Sequence, residues 1–201
     1  MLGGQILMFK NYWKHFKLIT KHKYYVFKNC CYAGILLQGI LHDLSKYSPT
    51  EFLESVKNYS GNRSPIDNLK DKGEISMAWL HHRGRNKHHW EYWIDNLADG
   101  PDALLMPEKY AIEMLCDFLG AGQAYMGKNW TMSSPYEWWQ TKKDHCLMHP
   151  ATKMFIDNIF ILMKENEFKY KNYLNPKILR DSYKRCISYA EQAEIGKYWR
   201  E

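Results

Sequence analysis

The chain has 201 residues, a length that suits one hydrophobic core and does not require two domains. Hydrophobic residues make up 45% of it and aromatic residues 15%, which favours a well-packed interior and excludes a largely disordered chain. The formal net charge of +6 suits anionic partners such as phosphates or nucleic acid, but charge alone does not determine a function.

The apolar runs and the cysteines bear on location. The longest apolar runs, such as residues 33–37, are too short to span a bilayer, and the N-terminal segment lacks the pattern of a signal peptide. The five cysteines are odd in number and include no C-x-x-C pair, which is typical of reduced structural thiols. We therefore expect a cytoplasmic protein with no membrane partner and no cysteine-ligated zinc.

Helical spacing recurs along the whole chain and strand patterns are nearly absent, so the sequence predicts an all-α fold. The predicted helices cover about residues 8–28, 32–46, 49–59, 73–82, 87–96, 107–126, 135–142, 151–166 and 176–198. Ser48 and Ser134 each precede a proline and a first-turn glutamate, a capping pattern that marks two of the starts. We expect one helical domain over 1–167 and a basic helical extension over 168–201 that packs on it.

The first two predicted helices carry histidines with different contexts. His15 and His22 lie one helix face apart, and the pattern does not choose between them as a metal ligand. His42 and Asp43 are adjacent at the edge of an apolar stripe, so one helical turn could offer a nitrogen and an oxygen to a metal. The alternative is a surface pair in which Asp43 forms an exposed ion pair with Lys46.

Residues 79–90, WLHHRGRNKHHW, hold four of the nine histidines of the chain. Gly84 is expected to end one helix and Asn86 to cap the next, which would rim the intervening loop with imidazoles. His81 and His82 cannot point the same way on a helix. We favour His82 and His89 as metal ligands, although the doubled histidines leave both choices open.

Other members of this segment suggest contacts with a substrate. His88 is expected to face the substrate or a further metal. Arg83, Arg85 and Lys87 can neutralise phosphoryl oxygens. The alternative is a surface turn in which the histidines only donate and accept hydrogen bonds.

The predicted helix 107–126 is apolar almost all round, and its acids Glu113 and Asp117 fall on one face. A buried carboxylate there needs a cation, hydrogen-bond donors or a metal, because an uncompensated buried charge costs several kcal/mol. Asp117 is therefore a candidate metal ligand, unless it pairs with a lysine or caps a loop.

Taken in chain order, these residues resemble the pattern H…HD…H…H…D of the HD-domain superfamily, which binds one or two metals on an all-α core. The matching residues are His22, His42, Asp43, His82, His89 and Asp117. The segment LHDLSK is similar to the superfamily's HD-x-x-K turn, with Lys46 in the lysine position. The chain also looks close to small, uncharacterised bacterial and phage HD proteins that carry an HH…N-x-HH…YW segment.

The resemblance implies a single HD-like helical bundle with one or two divalent transition metals, among which Fe, Mn, Co, Ni and Zn are not distinguished. It implies hydrolysis of a phosphomonoester or phosphodiester, with a small anionic, nucleotide-like substrate. Asp43, Lys46 and His88 would then be catalytic, and Lys46 would also bind substrate together with the three loop cations. Trp79, Trp90, Tyr92 and Trp93 could stack on a base, although such aromatics are more often core.

Two alternatives remain at this point. HD proteins with a mixed-valent di-iron centre use similar ligands to oxidise small hydroxylated or phosphonate substrates with oxygen. A nucleic-acid or protein-binding module with a structural metal would suit the basic C-terminal segment, but a structural ion needs only four ligands. The sequence leaves the oligomeric state open.

Overall fold

Helices dominate the computed structural model, which describes the backbone of residues 2–61 and 63–196 and the side chains from residue 8 onward. The helices within those ranges are α1 (Leu2–Tyr32), α2 (Leu36–Leu41), α3 (Pro49–Lys57), α4 (Pro65–Lys70), α5 (Met77–Arg85), α6 (Glu108–Met126), α7 (Ser134–Gln140), α8 (Pro150–Glu165), α9 (Tyr170–Tyr173) and α10 (Pro176–Gln192). The two strands β1 (Ile94–Leu97) and β2 (Gly100–Ala103) form a small antiparallel hairpin. The prediction of an all-α fold is confirmed.

Serine and asparagine side chains define several helix starts. Ser48 accepts a hydrogen bond from the backbone N–H of Glu51, as the capping pattern predicts, and Pro49 follows in the first turn. Asn175 caps α10 in the same way. Ser134 does not cap α7, because its hydroxyl instead accepts from the backbone N–H of Thr131.

The predicted helix over 32–46 is wrong, because the chain leaves the helix at His42. Asp43 is left-handed, with φ 54°, and a 3-10 turn over Leu44–Tyr47 follows. Lys23 of α1 donates to the carbonyl oxygens of Ile40 and His42 and so holds this turn against α1. The turn directs the side chains of His42 and Asp43 into the protein, where they are 1% and 2% exposed.

The predicted apolar stripe of that helix does not face the core. The sequence places Leu36, Ile40 and Leu44 on this stripe, but they are 51%, 46% and 51% exposed. α2 contains only six residues and lies on the outside of α1, so it buries little beyond Gly39. The histidine and aspartate take the inward position that the stripe was expected to occupy.

The segment after α5 also departs from the prediction. Gly84 lies inside α5 and does not end it, and the predicted helix over 87–96 is a 3-10 turn at Trp90–Trp93 followed by β1. β1 pairs with β2 from Ile94↔Ala103 to Leu97↔Gly100, so residues 98–99 form the turn of a hairpin between α5 and α6. α4 was not predicted. The predicted end of the last helix at Tyr198 lies outside the described residues.

α1 and α6 pack side by side through the centre of the core. A Cβ built on Gly120 of α6 would lie 2.5 Å from Val26 Cγ2 of α1, so the two backbones approach as closely as glycine allows. α6 is buried from Ala111 through Asp117. The helices that carry His22 and Asp117 are therefore held at a fixed separation.

α8 and α10 complete the same core on the other side of α6. Phe155 of α8 and Leu179 of α10 belong to one buried cluster with Leu115 of α6. The hydroxyl of Tyr183 on α10 donates to the carbonyl oxygen of Met106, 2.6 Å away and just before α6. Among the described residues, no helix has both the length and the apolar character needed to cross a bilayer.

Candidate metal centre

Five separate segments bring their ionisable side chains to one buried cluster. Two groups of ligand atoms, each within 4.8 Å of one another, share Asp43. The first group contains His22, His42, Asp43 and Asp117, and the second contains Asp43, His82, His88 and His89. These buried histidines and carboxylates could hold a metal ion. All six ligands expected from the sequence lie in these two groups, together with His88.

Asp43 lies between the two groups, and each of its carboxylate oxygens faces one of them. Oδ2 is 3.4 Å from Nε2 of His22 and 3.2 Å from Nε2 of His42. Oδ1 is 3.2 Å from Nε2 of His82 and 3.4 Å from Nε2 of His88. One carboxylate can therefore contribute an oxygen to each group.

Asp117 closes the first group from the α6 side. Its Oδ1 lies 3.1 Å from Nε2 of His22 and 3.3 Å from Nε2 of His42. Its Oδ2 lies 4.0 Å from Nε2 of His88, toward the second group. The first group thus consists of two imidazole nitrogens and two carboxylate oxygens.

Two further glutamates fix the orientation of three of these imidazoles. Glu113 Oε1 is 3.1 Å from Nδ1 of both His42 and His88. Glu51 Oε2 is 2.7 Å from Nδ1 of His82. A carboxylate accepts, so each Nδ1–H donates and each Nε2 is directed toward the middle of the cluster. This is the arrangement by which outer carboxylates orient metal-binding histidines.

Several atoms that point into the cluster are buried and form no well-directed hydrogen bond. They are Oδ1 of Asp43, Oδ1 of Asp117, and Nε2 of His82, His88 and His89, whereas Oδ2 of Asp43 is ion-paired with Lys46. Leaving a buried polar group unpaired costs free energy, and native structures contain few such groups. A cation between these lone pairs would satisfy them together, so the donor set fits a metal.

The pKa shifts of the clustered side chains reflect the competition between burial and neighbouring charges. Burial alone would lower the pKa of His42, but the carboxylates of Asp43, Asp117 and Glu113 raise it well above its usual value. Burial would raise the pKa of Asp43, but His42, Lys46 and other cations hold it well below its usual range. Burial, with His88 and His82 nearby, holds the pKa of His89 well below that of a free imidazole. Asp43 is thus ionised and His89 neutral, the forms that bind metals, whereas the raised pKa of His42 favours an imidazolium whose proton a bound metal would displace.

The structure separates the doubled histidines of the sequence. His22 lies in the first group, whereas His15 packs against the rings of Phe52 and Tyr59, at centroid distances of 5.2 and 5.7 Å. His82 points into the cluster.

His81 points away from the cluster. Its Nδ1 lies 2.6 Å from Glu51 Oε1, and its Nε2 accepts a hydrogen bond from Arg85. His81 therefore supports the outer carboxylate from the solvent side.

His88 and His89 both lie in the second group, so the expected choice between them does not arise. His88 is expected to face the substrate or a further metal, and its two ring nitrogens lie against Glu113 and Asp43. It is therefore a candidate ligand in the second group.

A cavity of about 200 Å³ opens onto the cluster. Its walls include His22, His82, His89 and Asp117, together with Lys46, Trp79 and Tyr125. Lys46 Nζ lies 2.5 Å from Asp43 Oδ2 and is partly exposed, so it sits where the cavity meets the cluster. A small molecule can therefore reach the candidate ligands beside a lysine.

The structure does not bring the three loop cations to this cavity. Arg85 and Lys87 line a different cavity, together with the outer sides of His88 and Glu113, and Lys87 lies over the ring of Tyr92. Arg83 is not among the residues that line either cavity. Because α5 continues through Gly84, these cations stand on the outer surface of the helix and of the turn that follows it.

Sequence reasoning did not assign roles to Glu51 and Glu113. Glu51 was interpreted only as part of a capping pattern, and its contacts with His81 and His82 depend on how α3 packs against α5. Glu113 left a signal, because it is the second acid on one face of an apolar helix, four residues before Asp117.

The fold and this cluster define an all-α protein with buried histidine and carboxylate groups that could bind metal. Residues 11–162 match a family of unknown function designated DUF5662, and the chain belongs to that family. No curated protein and no solved structure matches the chain. Every residue of the two candidate ligand groups falls inside the matched region.

Proposed function

We propose that this protein is a metal-dependent phosphohydrolase that acts on a small, nucleotide-like phosphate ester. The observation that carries the proposal is the position of Asp43, whose two oxygens face two separate groups of histidines. A carboxylate shared in this way is suited to a dinuclear centre, in which two ions stabilise the attacking and leaving oxygens of a displacement.

The donor types support a transition metal. The two groups offer imidazole nitrogens and carboxylate oxygens and no thiolate. This set suits Fe, Mn, Co, Ni or Zn better than Mg or Ca, which prefer oxygen ligands alone. The order of the ligands along the chain supports an HD-type centre, as the resemblance in the sequence suggests.

One or two such ions would supply Lewis acidity toward phosphoryl oxygens and toward an attacking water. Substrate binding and the orientation of the ligands would fall to side chains of the protein. Lys46, at the edge of the cavity, would bind a phosphoryl oxygen and stabilise the negative charge that develops on it. Glu113 and Glu51 hold the imidazoles in fixed orientations, so the ligands need not reorganise during the reaction.

The test begins with metal content. The protein would be purified anaerobically and analysed for metals, beside Asp43→Asn and the control Asp144→Asn, in which an exposed aspartate is changed. Asparagine tolerates the left-handed backbone at residue 43, so the variant changes the charge and not the turn. We expect one to two equivalents of metal in the parent and the control and a clear loss in Asp43→Asn. Equal metal content in all three proteins would contradict the proposal.

The reaction is tested on the same preparations. With Mn²⁺, Co²⁺ or Fe²⁺ the parent should release phosphate from a nucleotide or cleave a phosphodiester, and Asp43→Asn should not. If a broad panel of phosphate esters is untouched while the iron-loaded protein consumes oxygen with a polyol or phosphonate, the reaction is an oxidation and the hydrolase proposal fails.

A further inference from the structure

A second cavity, of about 350 Å³, adjoins the cavity at the candidate metal centre. Ser64, Ala121 and Tyr125 line both cavities. The rest of the second cavity differs in character, since its walls include three more aromatic side chains, Phe118, Trp130 and Trp138. We call it the aromatic cavity.

One helix connects the aromatic cavity to the metal ligands. Asp117 of α6 faces the cluster, the next residue, Phe118, faces the aromatic cavity, and Ala121 lies one turn later where the cavities adjoin. A ligand in the aromatic cavity would therefore lie within about one helical turn, roughly 5 Å along α6, of the metal-binding carboxylate.

The walls of the aromatic cavity are largely apolar, with a few polar side chains among them. The rings of Phe118 and Trp138 are 5.0 Å apart between centroids, and Trp138 is 41% exposed. Arg63, which is ion-paired with Asp71, and Asp67 line the same cavity, so the remaining N–H groups of the guanidinium offer donors and the carboxylate of Asp67 offers an acceptor. A planar ring with polar edges matches both properties, whereas an alkyl chain would form no hydrogen bond with the polar groups.

The small residues on this side of α6 leave the space open. A Cβ built on Gly122 would lie 3.0 Å from Nε1 of Trp130, so even alanine would crowd the indole. Ala121 occupies the junction with only a methyl group. Larger side chains at these two positions would fill the aromatic cavity or separate it from the cluster.

We propose that the aromatic cavity binds the heteroaromatic base of a nucleoside monophosphate whose phosphate lies beside Lys46 and the candidate metal ligands. This inference rests on the proposed function and names the part of the substrate that the metal centre does not touch. Stacking on aromatic side chains accepts any base, and Arg63 and Asp67 would distinguish among bases at their edges.

Binding can be measured without hydrolysis. Calorimetric titrations of the purified protein with adenosine, guanosine, cytidine and uridine would be compared with Trp138→Ala, Ala121→Leu and the control Trp13→Ala. Trp13 is an exposed tryptophan of α1 that lines neither cavity. We expect at least one nucleoside to bind the parent and Trp13→Ala, and binding at least tenfold weaker in the other two variants. Trp138 is partly exposed, so Trp138→Ala should fold, and the test remains valid if Ala121→Leu does not.

Hydrolysis separates this inference from the proposed function. The ratio of kcat/KM for the corresponding 5′-monophosphates to kcat/KM for ribose 5-phosphate should be large in the parent and fall at least tenfold in Trp138→Ala. Nucleoside binding without hydrolysis of any ester would overturn the proposed function and leave the base site standing. Equal turnover of ribose 5-phosphate and all four nucleotides, with no nucleoside binding, would overturn the base site alone.

Discussion

At the scale of single residues, the backbone of Asp43 explains how two neighbouring side chains enter one site. Its φ of 54° is unusual for a residue other than glycine, although aspartate adopts this region more readily than most. The left-handed residue ends the helical path, so His42 and Asp43 both point inward instead of diverging as they would on a helix. A conformation that costs of order 1 kcal/mol thus places both candidate ligands.

Glu113 offers a test of the outer carboxylates. Glu113→Gln should weaken metal binding about 10–100-fold, because the amide has no charge to hold the Nδ1–H groups of His42 and His88. Competition with a chelator of known affinity would measure the change. Glu165→Gln, an exposed position on α8, serves as the control. Equal metal affinity in the two variants would show that Glu113 does not orient the imidazoles.

His15 should make stability depend on pH in a direction that can be stated in advance. Burial, with a smaller contribution from Lys46, lowers its pKa from 6.5 to about 4. The unfolded chain therefore takes up this proton below about pH 6.5 while the folded protein does not, and folding stability falls as the pH falls from 6.5 to 4. The loss from this residue is about 3 kcal/mol, since one pKa unit corresponds to about 1.4 kcal/mol.

The measurement is the free energy of unfolding in urea at pH 7 and pH 4.5, with chelator present throughout. His15→Asn removes the titrating group, so its stability should fall less between the two pH values than that of the parent. His145→Asn, at an exposed histidine, should fall as the parent does. A parallel pH dependence in parent and His15→Asn would contradict the assignment of a buried, neutral His15.

At the scale of helices, two helical glycines, one buried and one exposed, should respond in opposite ways to the same change. Gly120→Ala should lower the free energy of unfolding by about 1–3 kcal/mol, because the new Cβ would meet Val26 of α1 at 2.5 Å. Gly84→Ala should raise it by up to about 1 kcal/mol, because Gly84 is helical and exposed and its Cβ would meet nothing within 4 Å. Urea unfolding of both variants measures these changes. A gain at Gly120 would mean that α1 and α6 are not in close contact.

The helices that the sequence predicts well are those with their own start signals and apolar faces. α3, α6, α8 and α10 begin within one residue of their predicted starts, and three of them have proline in the first turn. The β-hairpin was missed because Ile94–Leu97 shows no alternation of apolar and polar residues, and its pairing with Gly100–Ala103 becomes visible only in three dimensions.

The sequence predicts which residues form the site better than it predicts how their side chains are arranged. The order of histidines and aspartates predicted the six residues that meet in the cluster. It could not show that Glu113 accepts from two imidazoles, because those histidines are 71 and 25 positions away in the chain. It also could not show which side of α5 the loop cations occupy, since that depends on whether the helix ends at Gly84.

For the whole molecule, the candidate ligands join five separate segments of the chain. They come from α1, the turn after α2, α5, the segment before β1, and α6. An ion that binds only the folded protein should stabilise it by about 2.7 kcal/mol at a concentration 100-fold above its Kd, which raises Tm by roughly 5–10 °C for a chain of this size. Thermal unfolding with and without Mn²⁺ or Co²⁺ measures the shift. Asp43→Asn should show little of it, and an absent shift in the parent would contradict metal binding by the folded state.

The packing of α10 shows that the limits of the family match are not the limits of the folded unit. The match ends at residue 162, within α8, whereas Leu174, Leu179 and Tyr183 lie beyond it and belong to the same buried cluster as Phe155. A protein cut at residue 162 would expose the apolar face of α8 to water. It would also lack Tyr183, whose hydrogen bond holds the segment just before α6, the helix that carries Glu113 and Asp117. Such a fragment would tend to aggregate, so the smallest unit worth expressing extends through Gln192.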